Sequence, residues 1–215
     1  MKKTFILFLV SGFSIMLKAQ DQDPKAKAIL DGVSAKTKSY TSIRAKFTYS
    51  MENKAENISE SQKGELLVKG EKYRLEIAGQ EIISDGKTVW THLKDAGEVQ
   101  ISEPEYDEGA VSPANIFTIY EEGFKYKFFK EEAREGKKIQ LINLYPVNVK
   151  EKPYHTIRLA IDQKEKQLIS IIIFGKDGNI FTYKIKNLAT DLPVKESDFT
   201  FKASDFPGVE VIDLR

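Results

Sequence analysis

The first regular pattern along the chain has the period of a helix. Asp23-Pro24 offers a capping carboxylate followed by proline at the first helical position. Ala26, Ile29, Leu30 and Val33 then recur at helical spacing, opposite Lys25, Lys27, Asp31 and Lys36. This predicts an amphipathic helix of roughly three turns, ending near Lys38, whose apolar stripe lies across a sheet. From Ser42 the period switches to two. Ile43, Ala45, Phe47, Tyr49 and Met51 share one face against Arg44, Lys46, Thr48 and Ser50, the clearest strand in the chain. Residues 52–63 are polar and patternless, which predicts a mobile connection.

The stretch from Gly64 to Ile101 breaks into short β-like runs: Glu65 to Lys69, Lys72 to Ala78, Glu81 to Ser84, Thr88 to Leu93 and Val99 to Ile101. Between them lie Gly70, Gly79, Asp85-Gly86 and Ala96-Gly97, residues suited to the positive φ of tight hairpin turns. Tyr73, Leu75 and Ile77 alternate with Lys72, Arg74 and Glu76, as in a sheet with one dry and one wet face. An antiparallel meander follows. Glu103 to Ser112 reads as an acidic loop, after which Ser112-Pro113 opens a second short helix carrying Ile116, Phe117, Ile119 and Tyr120 and closed by Gly123. A helix of roughly two turns cannot stand alone in water, so these side chains must dock on the sheet as a lid or as a fixed plug.

Further along, Phe124, Tyr126 and Phe128 alternate with lysines, and a charged turn spans Glu131 to Lys138. Strands are predicted at Ile139 to Tyr145, Thr156 to Asp162, Leu168 to Phe174 and Ile180 to Ile185, with a last one around Val209, Val211 and Leu214. The near-continuous apolar run from Leu168 fits burial on both faces. A single antiparallel sheet of about ten or eleven strands must curl. The predicted class is therefore mainly β: a strongly curved antiparallel sheet forming a half-open, incomplete β-barrel, with short helices as its lid.

Composition and the N-terminus add an address. Met1-Lys2-Lys3, an apolar run from Phe5 to Leu17 and then Lys18-Ala19-Gln20 describe a secretory signal peptide over residues 1–19, cleaved near Ala19 or Gln20. Residues 20–215 are expected to form a single domain. There is no cysteine, so an exported chain has neither disulfides nor a thiol to be lipidated. Loss of Lys2, Lys3 and Lys18 would move the net charge from +1 to −2, which gives no reason to expect nucleic acid as a partner.

Catalytic machinery is hard to find. The two histidines, His92 and His155, sit in no zinc-binding spacing. Serine-hydrolase elbows and phosphate-cradling glycine loops are absent from the sequence. Glu103, Glu105, Asp107 and Glu108 could in principle supply an acid–base pair, but in a chain with 32 acidic residues such a cluster reads as a solvated face. No metal or cofactor is expected, and the chain is read as a non-enzyme.

One resemblance gives these features a common purpose. Lys63-Gly64-Glu65-Leu66-Leu67-Val68-Lys69, followed by Ser84-Asp85-Gly86-Lys87-Thr88-Val89-Trp90, resembles the LolA family of periplasmic carriers of outer-membrane lipoproteins. Ala45-Lys46-Phe47-Thr48, Phe199-Thr200-Phe201 and Pro207-Gly208-Val209 match in the same order. The resemblance implies a periplasmic, monomeric carrier that shields lipoprotein acyl chains in an apolar cavity. Its partners would be acylated lipoproteins, an inner-membrane lipoprotein-release transporter and an outer-membrane receptor or the membrane itself. Cavity-wall candidates are Phe47, Tyr49, Leu66, Val68, Tyr73, Leu75 and Trp90; Ile116, Phe117, Ile119 and Tyr120 would be the lid. Many carriers follow the Val-Lys pair with an arginine that latches the lid, whereas Gly70-Glu71 stands here and Arg74 falls on the polar face of its strand. A soluble lipid-binding or lipoprotein-sensing module needs the same cavity and is the alternative reading; an exported hydrolase would need a polar cleft of converging titratable groups.

Overall fold

The computed structural model describes residues 22–104 and 111–215. The expected signal peptide lies outside the described residues, as do positions 105–110 of the acidic loop. The first element is helix α1 (Pro24–Lys38), four turns long rather than three. Twelve strands follow: β1 (Ile43–Asn53), β2 (Ile58–Lys69), β3 (Lys72–Ile77), β4 (Gln80–Ser84), β5 (Val89–Leu93), β6 (Glu98–Ser102), β7 (Phe124–Arg134), β8 (Lys137–Pro146), β9 (Tyr154–Asp162), β10 (Gln167–Gly175), β11 (Ile180–Thr190) and β12 (Glu210–Asp213).

All twelve belong to one sheet, in the order β12-β6-β5-β4-β3-β2-β1-β11-β10-β9-β8-β7. Strands β1 to β6 run outward as a meander, and β7 to β11 run back until β11 pairs with the free side of β1. Every pairing is antiparallel except that of β12 with β6. The two ends, β12 and β7, do not meet, so the curved sheet is an open half-barrel.

Two sequence expectations change in detail. Residues 52–63 are not a mobile connection: β1 and β2 continue through them, paired in register from Ile43–Val68 to Asn53–Ile58. Along β2, residues 59–63 are exposed on both sides, and a strand with water on both faces has no alternation to display. Likewise the charged turn before Lys138 shrinks to Glu135-Gly136, because β7 runs on to Arg134.

The inner face carries the main core. Ala26, Leu30 and Val33 of α1 pack with Ile142, Leu144, Ile157 and Leu159, so the helix covers the β7–β10 side of the sheet. Asp23 sets its position. Its carboxylate caps α1 by accepting from the Lys25 and Ala26 amides (2.9 and 3.2 Å) and also accepts from the Phe128 amide of β7 (2.9 Å). With Gln22, which bonds the Tyr126 amide and the Phe124 carbonyl, it covers part of the otherwise unpaired β7 edge.

The Phe128 amide, followed by the capping amides, holds the Asp23 carboxyl below the usual range. A depressed folded value means that the stabilisation is complete above the unfolded aspartate value of about 3.9 and is lost as pH falls through the folded one. Asp23→Asn keeps a capping side chain but removes the charge. It should lower the urea midpoint at neutral pH, with the gap to wild type closing at acid pH, below the folded value. A gap of equal size at both pH values would show that the charge contributes nothing.

The outer face has a covering of its own. The segment from Lys195 to Phe206 straps β3 to β6, with Phe199 fully buried (0% exposed). Leu67, Ile83 and Val99 are buried on this side. Lys69 and Lys72 both pair with Glu196. Arg74 donates to the Asp198 carbonyl (3.3 Å) and to buried Glu81 (2.6 Å), and the His92 ring meets Phe206 edge-on at 4.8 Å.

Candidate functional site

Strand register decides which side chains face inward. Leu66, Leu75, Ile82 and Thr91 form one row across β2 to β5, and Val68, Tyr73, Ser84 and Val89 form the next. On the other side of β1, Phe47 stands beside Ile185, and Tyr49 beside Tyr183, which continues to Ile171. Over the middle of these rows lies the segment 111–121.

That segment is not the expected helix. Residues 113–118 form successive turns, and only Ile119–Glu121 makes a 3₁₀ turn. The Ser112 amide donates to the Asn115 side chain (2.9 Å), and i to i+3 bonds follow at Thr118 (2.8 Å) and Glu121 (3.0 Å). The β-branched Ile116, Thr118 and Ile119 disfavour an α-helix. On an α-helix the four apolar residues would spread over about 160° of the surface, a broad face rather than a narrow seam. The tighter winding lets all of them turn toward protein: Phe117, Ile119 and Tyr120 are buried and Ile116 is partly so.

Beneath this segment lies an apolar pocket of about 160 Å³. Its sheet wall includes Phe47, Leu66 and Leu75, and Ile116 and Phe117 close it from above. Ligand pockets run to about 300–1,000 Å³, so the covering side chains occupy most of the space that a ligand would need. Tyr73 and Ile119 instead line a second chamber of about 900 Å³ over β3 to β6, which shares Val111, Ser112 and Pro113 with the first. Val68 and Tyr120 are core residues. Tyr49 packs against Phe181 and Tyr183 further along the inner face. Burial pushes the Tyr120 phenol well above its ordinary range and raises that of Tyr183, so both stay neutral.

Trp90 is a correction. It pairs with Ile83, which pairs with Arg74, which pairs with Leu67, and that row is on the outer face. Its neighbour Val89 is the inward residue. The pocket also contains residues that sequence reasoning left out of the wall: Ala45, Ile77, Ile171, Tyr183 and Ile185. The alternation of Tyr183 and Ile185 was visible. Their place opposite Phe47 depends on the pairing of β11 with β1, a contact between strands distant in sequence that no local pattern encodes.

Gly64 explains how Phe47 reaches its position. The two are cross-strand partners, and the ring lies flat where a side chain at Gly64 would stand. An added Cβ would run into Cζ of Phe47 and lie 3.0 Å from the Glu76 carbonyl oxygen. Gly64→Ala should therefore cost about 1–3 kcal/mol through overpacking, read as a lower urea midpoint. An unchanged midpoint would mean that the ring has room to move.

The segment is tied to the rest of the molecule through Glu121. Its carboxylate accepts from Ser34 and pairs with Lys38 at 2.8 Å, both on α1. Gly70, where the resemblance would place a latching arginine, is a turn residue with φ of +59°, and Arg74 is held by Glu81 on the outer face. Among the described residues no group of three or more His, Asp or Glu is arranged to hold a metal ion, and no helix is long and apolar enough to cross a membrane.

The chain is similar to several solved structures. An uncharacterised conserved protein from Thermus thermophilus superposes with a TM-score of 0.59 at 13% identity, over 88% of this chain and 99% of that one. The lipoprotein LppX of Mycobacterium tuberculosis gives 0.49 at 14% identity, over 81% and 99%. A LolA superfamily protein from Nitrosomonas europaea gives 0.45 at 10% identity, over 82% and 97%. At 13% identity the likeness to the Thermus thermophilus protein is one of fold alone. No curated protein matches the chain. The model of the family described as outer membrane lipoprotein carrier protein LolA matches residues 38–202, which run from the end of α1 into the outer strap, and the chain belongs to that family.

Proposed function

We propose that the protein is a periplasmic carrier that shields the acyl chains of lipoproteins and moves them from the inner to the outer membrane. The observation that carries this reading is the apolar pocket walled by Phe47, Leu66 and Leu75 and filled from above by Ile116 and Phe117. Each methylene withdrawn from water is worth ~0.8 kcal/mol, so a diacylated protein stays in its membrane unless an equivalent apolar site is offered. A site too deep would never release it. Covering side chains that satisfy the empty cavity and move aside for the ligand resolve the conflict, because their return offsets part of the cost of release.

In this account residues 1–19 direct export and are cleaved near Ala19 or Gln20. The partners are acylated lipoproteins, an inner-membrane lipoprotein-release transporter and an outer-membrane receptor or the membrane itself. The protein acts as a monomer, without nucleic acid and without chemistry of its own. The test is uptake of a fluorescent synthetic diacylglyceryl-cysteine peptide by the purified mature protein. A soluble one-to-one complex that survives gel filtration is expected. Peptide left entirely in its own micelles would remove the proposal.

The Glu121 contact takes the place of the missing arginine latch. Lys38 is largely exposed and Glu121 partly so; such pairs contribute at most about 1 kcal/mol. Glu121→Gln should accordingly speed amide hydrogen exchange across residues 116–121 about two- to fivefold and quicken uptake of the peptide. Exchange and uptake both unchanged would show that the contact holds nothing shut.

A further inference from the structure

The larger chamber differs in chemistry from the dry pocket beside it. Its floor is partly apolar, from Tyr73, Ile82 and Val89 of the sheet and Ile119 of the covering segment. Its polar lining is built from hydroxyls and an amide: Ser84, Thr91, Ser102, Ser112, Asn115 and Thr118. Among the described residues its charged lining consists of glutamates alone. Glu71, Glu103, Glu121 and Glu122 border it, and no lysine, arginine or histidine does so among the described residues. Glu121 is already engaged by Lys38, which leaves three carboxylates at the mouth with no basic side chain in the lining.

We infer that this chamber seats the polar head of the bound amphiphile, and that it admits an uncharged, ester- or hydroxyl-bearing head while rejecting an anionic one. The inference rests on the reading of the adjoining pocket as an acyl site. Because the two cavities share Val111, Ser112 and Pro113, a ligand with its chains in one would place its head in the other. A glycerol ester can exchange water for the serine and threonine hydroxyls without bringing a charge out of solvent. A phosphate head would have to approach three carboxylates with no basic side chain in the described lining; Arg215, whose charge reaches Glu103, is already bonded to Asp213. A phospholipid carries acyl chains as good as those of a lipoprotein, so the apolar pocket alone cannot tell the two apart. The acidic mouth supplies the repulsive element that selectivity requires. The glutamates are exposed, which makes the effect moderate and sensitive to salt.

Two lipids with identical chains separate these contributions: dioleoylglycerol, which is uncharged, and dioleoylphosphatidylglycerol, which is anionic. Each is offered to the mature protein in micelles of an uncharged detergent, and bound lipid is counted by mass spectrometry after gel filtration. The ratio of neutral to anionic lipid should fall about fivefold at low salt in the triple variant Glu71→Gln, Glu103→Gln, Glu122→Gln. High salt should narrow the difference between wild type and variant. An unchanged ratio, with both lipids bound, would overturn the inference and leave the acyl pocket standing. Uptake of neither lipid would overturn both.

Discussion

Leu75→Glu is expected to abolish capture of acylated cargo while the fold stays intact. Leu75 is only partly buried, on the inner face between Leu66 and Ile82, and it faces the apolar pocket. In the empty protein the new carboxylate can turn toward the open side of the half-barrel and keep its water. With acyl chains seated it cannot. A carboxylate must then be desolvated or protonated against hydrocarbon, a cost of several kcal/mol, which lowers affinity by about two orders of magnitude or more. Circular dichroism should match wild type, and the lipopeptide should remain in micelles. Phe47→Glu should behave similarly but also destabilise, because the Phe47 ring is buried (8% exposed) against Gly64. Full uptake by Leu75→Glu would place the acyl chains somewhere other than this pocket.

Phe199→Ala is expected to produce the largest loss of stability, about 3–5 kcal/mol, against a total of about 5–15 kcal/mol for a domain. The side chain is fully buried, yet it stands on the outer face, in a strap of little regular structure. Removing it opens a cavity between the strap and β3 to β6. The bonds from Arg74 to the Asp198 carbonyl and from Lys69 and Lys72 to Glu196, with the His92–Phe206 ring contact, are then left to hold the segment. The guanidinium midpoint should drop with an unchanged denaturant slope. A loss below about 1 kcal/mol would mean that the strap is not part of the cooperative fold.

Strands β3 to β6 were legible because glycine turns separate short alternating runs, and α1 because a proline-led apolar stripe runs from Ala26 to Val33. The remainder failed for identifiable reasons. A polar hairpin end carries no periodicity, so β1 and β2 looked shorter than they are. Where both faces of the sheet are covered, apolarity does not say which way a side chain points. Leu67 and Trp90 belong to the outer face for that reason, although Leu66 and Val89 beside them face inward. The strap itself was visible only as the family motif at Phe199-Thr200-Phe201, and nothing local announces that it crosses the outer face. Among the wall residues, Phe47 and Leu75 could be chosen from alternation, whereas Leu66, beside the equally apolar Leu67, could not. Tyr183 and Ile185 needed the long-range pairing that closes the sheet around β1. The covering segment was identified by its concentration of apolar residues, while its winding depended on Asn115 and on β-branched side chains that favour turns.

The most direct test of the central claim uses inner-membrane vesicles that carry a native lipoprotein together with its release transporter. Purified mature protein is added, and the supernatant is examined for the lipoprotein. The account predicts a soluble one-to-one complex with the wild-type protein and none with Leu75→Glu. Lipoprotein that stays in the vesicles, while the same protein takes up free diacyl lipopeptide, would contradict transport and leave a lipid-sensing module in its place.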